Sequence, residues 1–239
     1  MLGGIMLAVS ANAQLPPPEA TEQWEPVPPV VSINAAGIPD DAIILFDGTD
    51  LSAWEPVKEG STGWKIEDGA MVVVPGSGDL RTRQGFGDVQ LHIEFRLPHQ
   101  PANDGQKRGN SGVYLMQTYE LQVLDSYNNT TYVNGQCASV YKQYPPLVNA
   151  CLPPGAWQSY DIIFIAPRFA ADGSLDTPAR MTVLHNGVLV QHDVPLLGAT
   201  VHRGLPAYQA HADRLPLMLQ DHKDPVAFRN IWIRELKKP

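Results

Sequence analysis

The sequence predicts an all-β protein, a two-sheet antiparallel jelly-roll sandwich. Three observations predict it. Short apolar runs recur from residue 41 to residue 239 with turn residues between them. Several runs alternate apolar and polar residues, the period of a strand with one buried face. No segment of ten or more residues places its apolar residues at helical spacing. The composition agrees, since 22 prolines and 20 glycines supply turns and 44% hydrophobic residues are enough to fill a sizeable core.

The chain opens "MLGGIMLAVSANAQ". The apolar stretch Leu2 to Val9, followed by Ala11-Asn12-Ala13, reads as a signal peptide over residues 1–13, with Gln14 first in the mature chain. No Lys or Arg precedes the apolar stretch, so the leader reads as shortened at its start. It is far below the ~20 residues of a membrane span. Such a leader implies export, to the periplasm or outside the cell. Residues 14–40 are rich in Pro, which disfavours helix and central strand, and read as a linker draped over the domain through Trp24 and Val30-Val31.

The strands follow in order. "AIILFDG" is an apolar run ending at an Asp-Gly turn, and "GWKIEDGAMVVV" is a hairpin about Asp68-Gly69. "DVQLHIEFRL" sets Val89, Leu91, Ile93, Phe95 and Leu97 on one face and Gln90, His92, Glu94 and Arg96 on the other. "SGVYLM" and "YELQVLDSY" come next, then "WQSYDIIFIAPRF", then a hairpin about Asn186-Gly187, then "VAFRNIWIREL". One sandwich domain over 41–239 accounts for all of them, with no helix longer than three turns.

Charge and cysteine content exclude some functions. The net charge is −8 and no run of Lys or Arg stands out, which argues against a nucleic-acid partner. Cys137 and Cys151 are the two cysteines. In an exported chain they are expected to form a disulfide closing a loop of about 15 residues. Zinc is not expected, because two cysteines are too few and no His falls between them.

The polar faces of two strands are the candidate site. In "YELQVLDSY", Glu120 and Gln122 share one face while Leu121 and Val123 take the other. In a curved sheet, Glu94 and Arg96 together with Glu120 and Gln122 would line a concave groove. Gly109 and Gly112 bound a bend beside it where side chains are stripped away. Arg108 precedes that bend, His222 lies in the polar loop "DHKDP", and Arg229 lies on the last strand. Asp125 has core-side parity but starts a turn, so it reads as a cap or a metal ligand.

"LFDGTDLSAW", "GWKIEDGAMVV", "GDLRTRQGFGDVQLHIEFRL", "GNSGVYL", "YELQVLDSY" and "LPLMLQDHKDPVAFRNIWIREL" occur in the order found in the 3-keto-disaccharide hydrolase domain family. Over roughly residues 43 to 237 the chain resembles that family. The resemblance implies a concanavalin-like jelly roll, bacterial export, and cleavage of glycosides whose sugar is oxidised to a ketone at C3. It also places a functional His at His222.

A C3 ketone acidifies the proton on C2, and a carboxylate or imidazole can remove it. The enolate expels the group at C1, and water then adds. Glu120 and His222 are the catalytic candidates, with the base and acid roles open between them. Glu94, Arg108, Gln122 and Arg229 are the substrate-binding candidates, for the sugar or the enolate oxygen. No cofactor is fixed, and a divalent metal ion held by Glu94, Glu120 or His222 is an alternative to a cationic donor.

Two other readings stay open. An ordinary retaining glucanase needs two carboxyl groups about 5–5.5 Å apart, and here Gln122 stands where the second would be expected. A non-catalytic, lectin-like carbohydrate-binding module would use aromatic stacking, for which Tyr114, Tyr119, Trp157 and Tyr208 are available.

Overall fold

The computed structural model describes residues 15–60, 63–100 and 103–236. The expected signal peptide lies outside the described residues. The strands are β1 (Ile43–Phe46), β2 (Trp54–Pro56), β3 (Lys65–Glu67), β4 (Ala70–Val72), β5 (Leu80–Phe86), β6 (Val89–Arg96), β7 (Ser111–Leu115), β8 (Tyr119–Val123), β9 (Trp157–Ile165), β10 (Arg168–Phe169), β11 (Leu175–Thr177), β12 (Arg180–His185), β13 (Val188–Pro195), β14 (Leu215–Leu219) and β15 (Ala227–Glu235). Helix is confined, among the described residues, to three short 3-10 turns.

Two antiparallel sheets form the sandwich. The larger runs β13-β12-β9-β6-β15-β4-β3, with β1 also paired to β15. The smaller runs β2-β5-β14-β7-β8. Both predicted hairpins form. Asp68 and Gly69 take φ of 51° and 71°, and Asn186 and Gly187 take 53° and 77°. These are the left-handed pairs a two-residue hairpin turn needs.

The core lies between the sheets. β6 alternates buried and half-buried along its whole length. Its Leu91, Ile93 and Phe95, with Tyr160, Ile162 and Phe164 of β9, are fully buried, as are Val113 of β7 and Leu121 and Val123 of β8 in the facing sheet. Each such side chain contributes roughly 1.5–3 kcal/mol of burial.

This topology corrects the expected groove. β6 and β15 belong to the larger sheet and β8 to the smaller. The sheets turn one face each to a shared core, so their outer faces point in opposite directions. Glu94 and Arg229 therefore stand on the far side of the sandwich from Glu120 and Gln122. There Arg229 Nε donates to Glu94 Oε2 at 2.6 Å, and the Arg229 guanidinium stacks 4.0 Å over the Trp157 ring. The pair ties β6 to β15.

Two further expectations change. Trp24 and Val30 are 80% and 93% exposed, so they do not anchor the N-terminal segment. Ile33, Ala36, Gly37 and Pro39 of the segment line a hollow with His92, Glu94 and Trp232. The expected disulfide is absent, and Cys137 and Cys151 are free thiols. The Cys137 thiol lies 2.9 Å from the Tyr160 hydroxyl, which gives it a hydrogen-bond partner within the core.

Candidate active site

The outer face of β7 and β8 floors a cleft of about 480 Å³. β8 is the last strand of its sheet, yet its edge is covered. The Gln122 N–H donates to the Ser139 carbonyl, Ala138 N–H to the Gln122 carbonyl, and Tyr141 N–H to the Glu120 carbonyl. The Glu120 N–H donates to Thr200 Oγ1 at 2.9 Å. Loops 138–142 and 198–202 thus satisfy a strand edge that would otherwise pair with another chain. The same bonds carry Tyr141, Lys142, Thr200 and His202 to the cleft wall.

Glu120 is the floor's acid. It is 3% exposed, and Gln122 beside it is 1% exposed. In the β7–β8 register Glu120 stands opposite Tyr114, and Gln122 stands opposite Gly112. Gly112 leaves room there for the Glu120 and Tyr114 side chains. A Cβ on it would lie 2.8 Å from Glu120 Oε1 and 2.7 Å from Tyr114 Cε2. Burial pushes the Glu120 carboxyl up to about 7, and a hydrogen bond from Tyr114 partly offsets the rise. Desolvation, then the charge of Glu120, holds the Tyr114 hydroxyl well above its ordinary range, so it remains a donor.

The wall of the cleft is built from amides. Gln122 Nε2 donates to Gln106 Oε1 at 3.2 Å and to the Gly135 carbonyl at 3.3 Å. Gln106 Nε2 donates to the same Gly135 carbonyl at 2.8 Å. Gln220 Nε2 reaches the Tyr114 hydroxyl at 3.3 Å. Lys142, in the left-handed region at φ 58°, donates from Nζ to the His202 carbonyl at 2.6 Å. Its ammonium lies 5.7 Å from the Tyr132 ring centre and 5.6 Å from that of Tyr141. Left-handed backbone at a non-Gly residue costs energy and tends to persist where function requires the placement.

His222 reaches the same cleft from the rim, on an exposed loop after β14. Carboxylates hold that loop by its backbone. Asp221 accepts from Gly78 N–H at 2.9 Å, Asp79 accepts from Asp221 N–H at 2.8 Å, and Asp224 accepts from Asn110 N–H at 2.8 Å. Burial raises the Asp79 carboxyl above its ordinary value.

Of the six predicted site residues, the fold brings Glu120, Gln122 and His222 together. Glu94 and Arg229 are on the opposite face, so Glu94 cannot share a metal ion with Glu120 and His222. Arg108 is also elsewhere. Its Nε donates to Asp125 Oδ2 at 2.8 Å, and one of its terminal nitrogens donates to the Tyr127 carbonyl at 3.2 Å. Asp125 is 1% exposed; its Oδ2 takes the Arg108 bond, and its Oδ1 accepts from the Tyr127 N–H at 3.1 Å, so it caps the turn that it starts.

The aromatics divide in the same way. Tyr114 lines the cleft, Tyr119 is in the core, Trp157 lies under Arg229, and Tyr208 ties Ala179 N–H to the Leu196 carbonyl. Lys142, Tyr132, Tyr141, Thr200, His202, Gln106 and Gln220 escaped the sequence reading. A larger hollow of about 600 Å³ lies by Arg96 and His99, and it contains no buried acid.

A jelly-roll sandwich with a polar, amide-lined cleft over one sheet and a desolvated carboxylate in its floor defines a carbohydrate-acting protein. The chain belongs to the 3-keto-alpha-glucoside-1,2-lyase-like domain family, whose model matches residues 41–234. A candidate glycosyl hydrolase of Parabacteroides distasonis with a solved structure is 49% identical, at a TM-score of 0.88, over 92% of this chain and 97% of its own. A second candidate glycosyl hydrolase of that organism is 20% identical, at a TM-score of 0.60, over 83% of this chain and 95% of its own, and shares the fold. No curated protein matches the chain.

Proposed function

We propose that the protein cleaves the glycosidic bond of 3-keto-glycosides by elimination, followed by hydration. One observation carries the reading. Among the described residues lining the cleft, Glu120 is the single carboxylate, and burial holds it at about 7. Retaining glycosidases need two carboxyl groups about 5–5.5 Å apart, and inverting ones need two about 6.5–9.5 Å apart. A lone carboxylate near neutrality is suited to proton abstraction next to a carbonyl.

In this mechanism Glu120 takes the C2 proton. The C2–H electron pair forms the C2=C3 bond of the enolate, and negative charge moves to the C3 oxygen. Lys142 and the Tyr114 hydroxyl are the cation and donor available to that oxygen. Collapse of the enolate restores the C3 ketone, forms C1=C2 and breaks the C1–O bond. His222, at the rim, protonates the departing oxygen. Water adds to C1 and gives up its proton to His222, and Glu120 returns its proton to C2, which restores both groups. Gln122 and Gln220 hold the sugar hydroxyls. Glu120 is assigned as base because it is buried in the floor, and His222 as acid because it stands at the exposed rim.

The test is product formation from a 3-keto-disaccharide beside the unoxidised parent sugar. Turnover of the keto-sugar alone is expected. Equal turnover of both would indicate ordinary glycosidase chemistry, and binding of both without turnover would indicate a lectin-like module.

A further inference from the structure

Sequence order separates His185 from the two cysteines, but the fold brings the three together. Cys137 lies just before the segment that covers the edge of β8. Cys151 lies in the loop before β9, and His185 ends β12. Two thiol sulfurs and one imidazole nitrogen lie within 4.8 Å of one another. Bonds of about 2.3 Å to sulfur and 2.0–2.1 Å to nitrogen place the ligand atoms of tetrahedral zinc roughly 3.3–3.8 Å apart, so closure on an ion needs small shifts.

The imidazole is oriented for this role. Gln158 Oε1 accepts from Leu152 N–H at 3.0 Å, which identifies it as the carboxamide oxygen. His185 Nε2 lies 2.9 Å from that oxygen and so carries the proton. The lone pair is then on Nδ1. A ligating His commonly donates its other N–H to an acceptor that fixes the ring in this way.

We propose that Cys137, Cys151 and His185 form a zinc site behind the floor of the cleft, with Nδ1 as the histidine donor. Binding replaces two S–H protons: Zn²⁺ and two thiols give a dithiolate complex and two released protons. The resulting centre is neutral, which suits an interior where Cys137 and His185 are buried. Cys151 is partly exposed and gives the ion and a fourth, water ligand a way in.

The site would act on the cleft through one residue. The Tyr160 hydroxyl lies 2.9 Å from Cys137 Sγ and donates to the Gln122 carbonyl at 2.7 Å. Zinc would tie loop 137–151 to β12, holding Tyr160 and the backbone beneath Gln122.

The test uses the full chain purified without chelator. One zinc per chain is expected, and cobalt in its place should give sulfur-to-cobalt charge-transfer absorption. Cys151→Ser and His185→Gln should each lose the absorption. Chelation should lower the wild-type melting temperature, restored by zinc, and leave that of Cys151→Ser unmoved. If the variants do not fold, the cobalt spectrum of the wild-type chain decides alone. A reduced wild-type chain that takes up no zinc or cobalt overturns the proposal, as does a natively produced chain whose two cysteines are bridged.

Discussion

Tyr114 stands directly across the β7–β8 ladder from Glu120, and its hydroxyl lowers the carboxyl against the rise that burial gives it. The two residues oppose each other in one respect. Burial drives the carboxyl toward its neutral form, while the tyrosine donor favours the ionised one. The balance lies at about 7. A base whose pKa lies near the working pH combines adequate ionisation with adequate basicity.

Tyr114→Phe removes the donor and keeps the ring. The Glu120 carboxyl should then rise further. The base form would be reached only at higher pH, so the acid limb of kcat/KM, expected near pH 7 in the wild type, should move upward. A pH–rate profile on a 3-keto-disaccharide checks this. An unmoved limb would mean that the hydrogen bond does not tune the base.

Gly112→Ala tests the close packing directly. The added methyl would meet the Glu120 carboxylate and the Tyr114 ring at 2.8 and 2.7 Å, closer than real contacts allow. Overpacking of this kind costs about 1–3 kcal/mol. Turnover should fall at least tenfold as Glu120 is displaced, with the chain still folded. Wild-type turnover together with a normal melting curve would show that the carboxylate has room to spare.

How much of this was legible follows from the kind of signal each residue gives. Alternation in β6 and β8 identified Leu91, Ile93, Leu121 and Val123 as core, because a strand's period of two is written in the sequence. The same alternation says only that Glu94 and Glu120 both point away from the core. Which sheet each strand joins depends on pairings between distant segments, so Glu94 was placed on the wrong side. Arg108 and Asp125 were each noticed, but nothing local pairs residues 17 positions apart. Tyr114 could have been placed opposite Glu120 by centring the hairpin on Gln117. Lys142 and His202 could not, since both sit on loops without periodicity and meet through one backbone carbonyl.

The corrected role of Arg108 makes its own prediction. Arg108→Met should leave Asp125 buried and unpaired. Breaking a buried ion pair from one side costs about 3–5 kcal/mol. Denaturant melts should show that loss, while KM for the keto-sugar, measured where the variant is folded, should stay within twofold of wild type. A large rise in KM with normal stability would return Arg108 to the substrate site.

Glu120→Gln should separate catalysis from stability with opposite signs. Glutamine keeps the size and hydrogen bonds of the side chain but cannot take a proton. Loss of a general base typically lowers the rate ~10²–10⁴-fold. The stability effect runs the other way. The folded carboxyl ionises at about 7 and the unfolded one near 4.5. Between those values the folded chain holds a proton that the unfolded chain has lost, so stability falls as pH rises through this window and stays low above it. The variant carries no such proton, and at pH 8 it should be the more stable protein by an amount on the order of 3 kcal/mol. At pH 4, where both states of the wild type are protonated, the two should melt alike. Melting curves at the two pH values, beside turnover of a 3-keto-disaccharide, check both halves. A variant that is inactive but no more stable at pH 8 would mean that the carboxylate is well solvated in the cleft. A variant that still turns over would remove Glu120 from the mechanism.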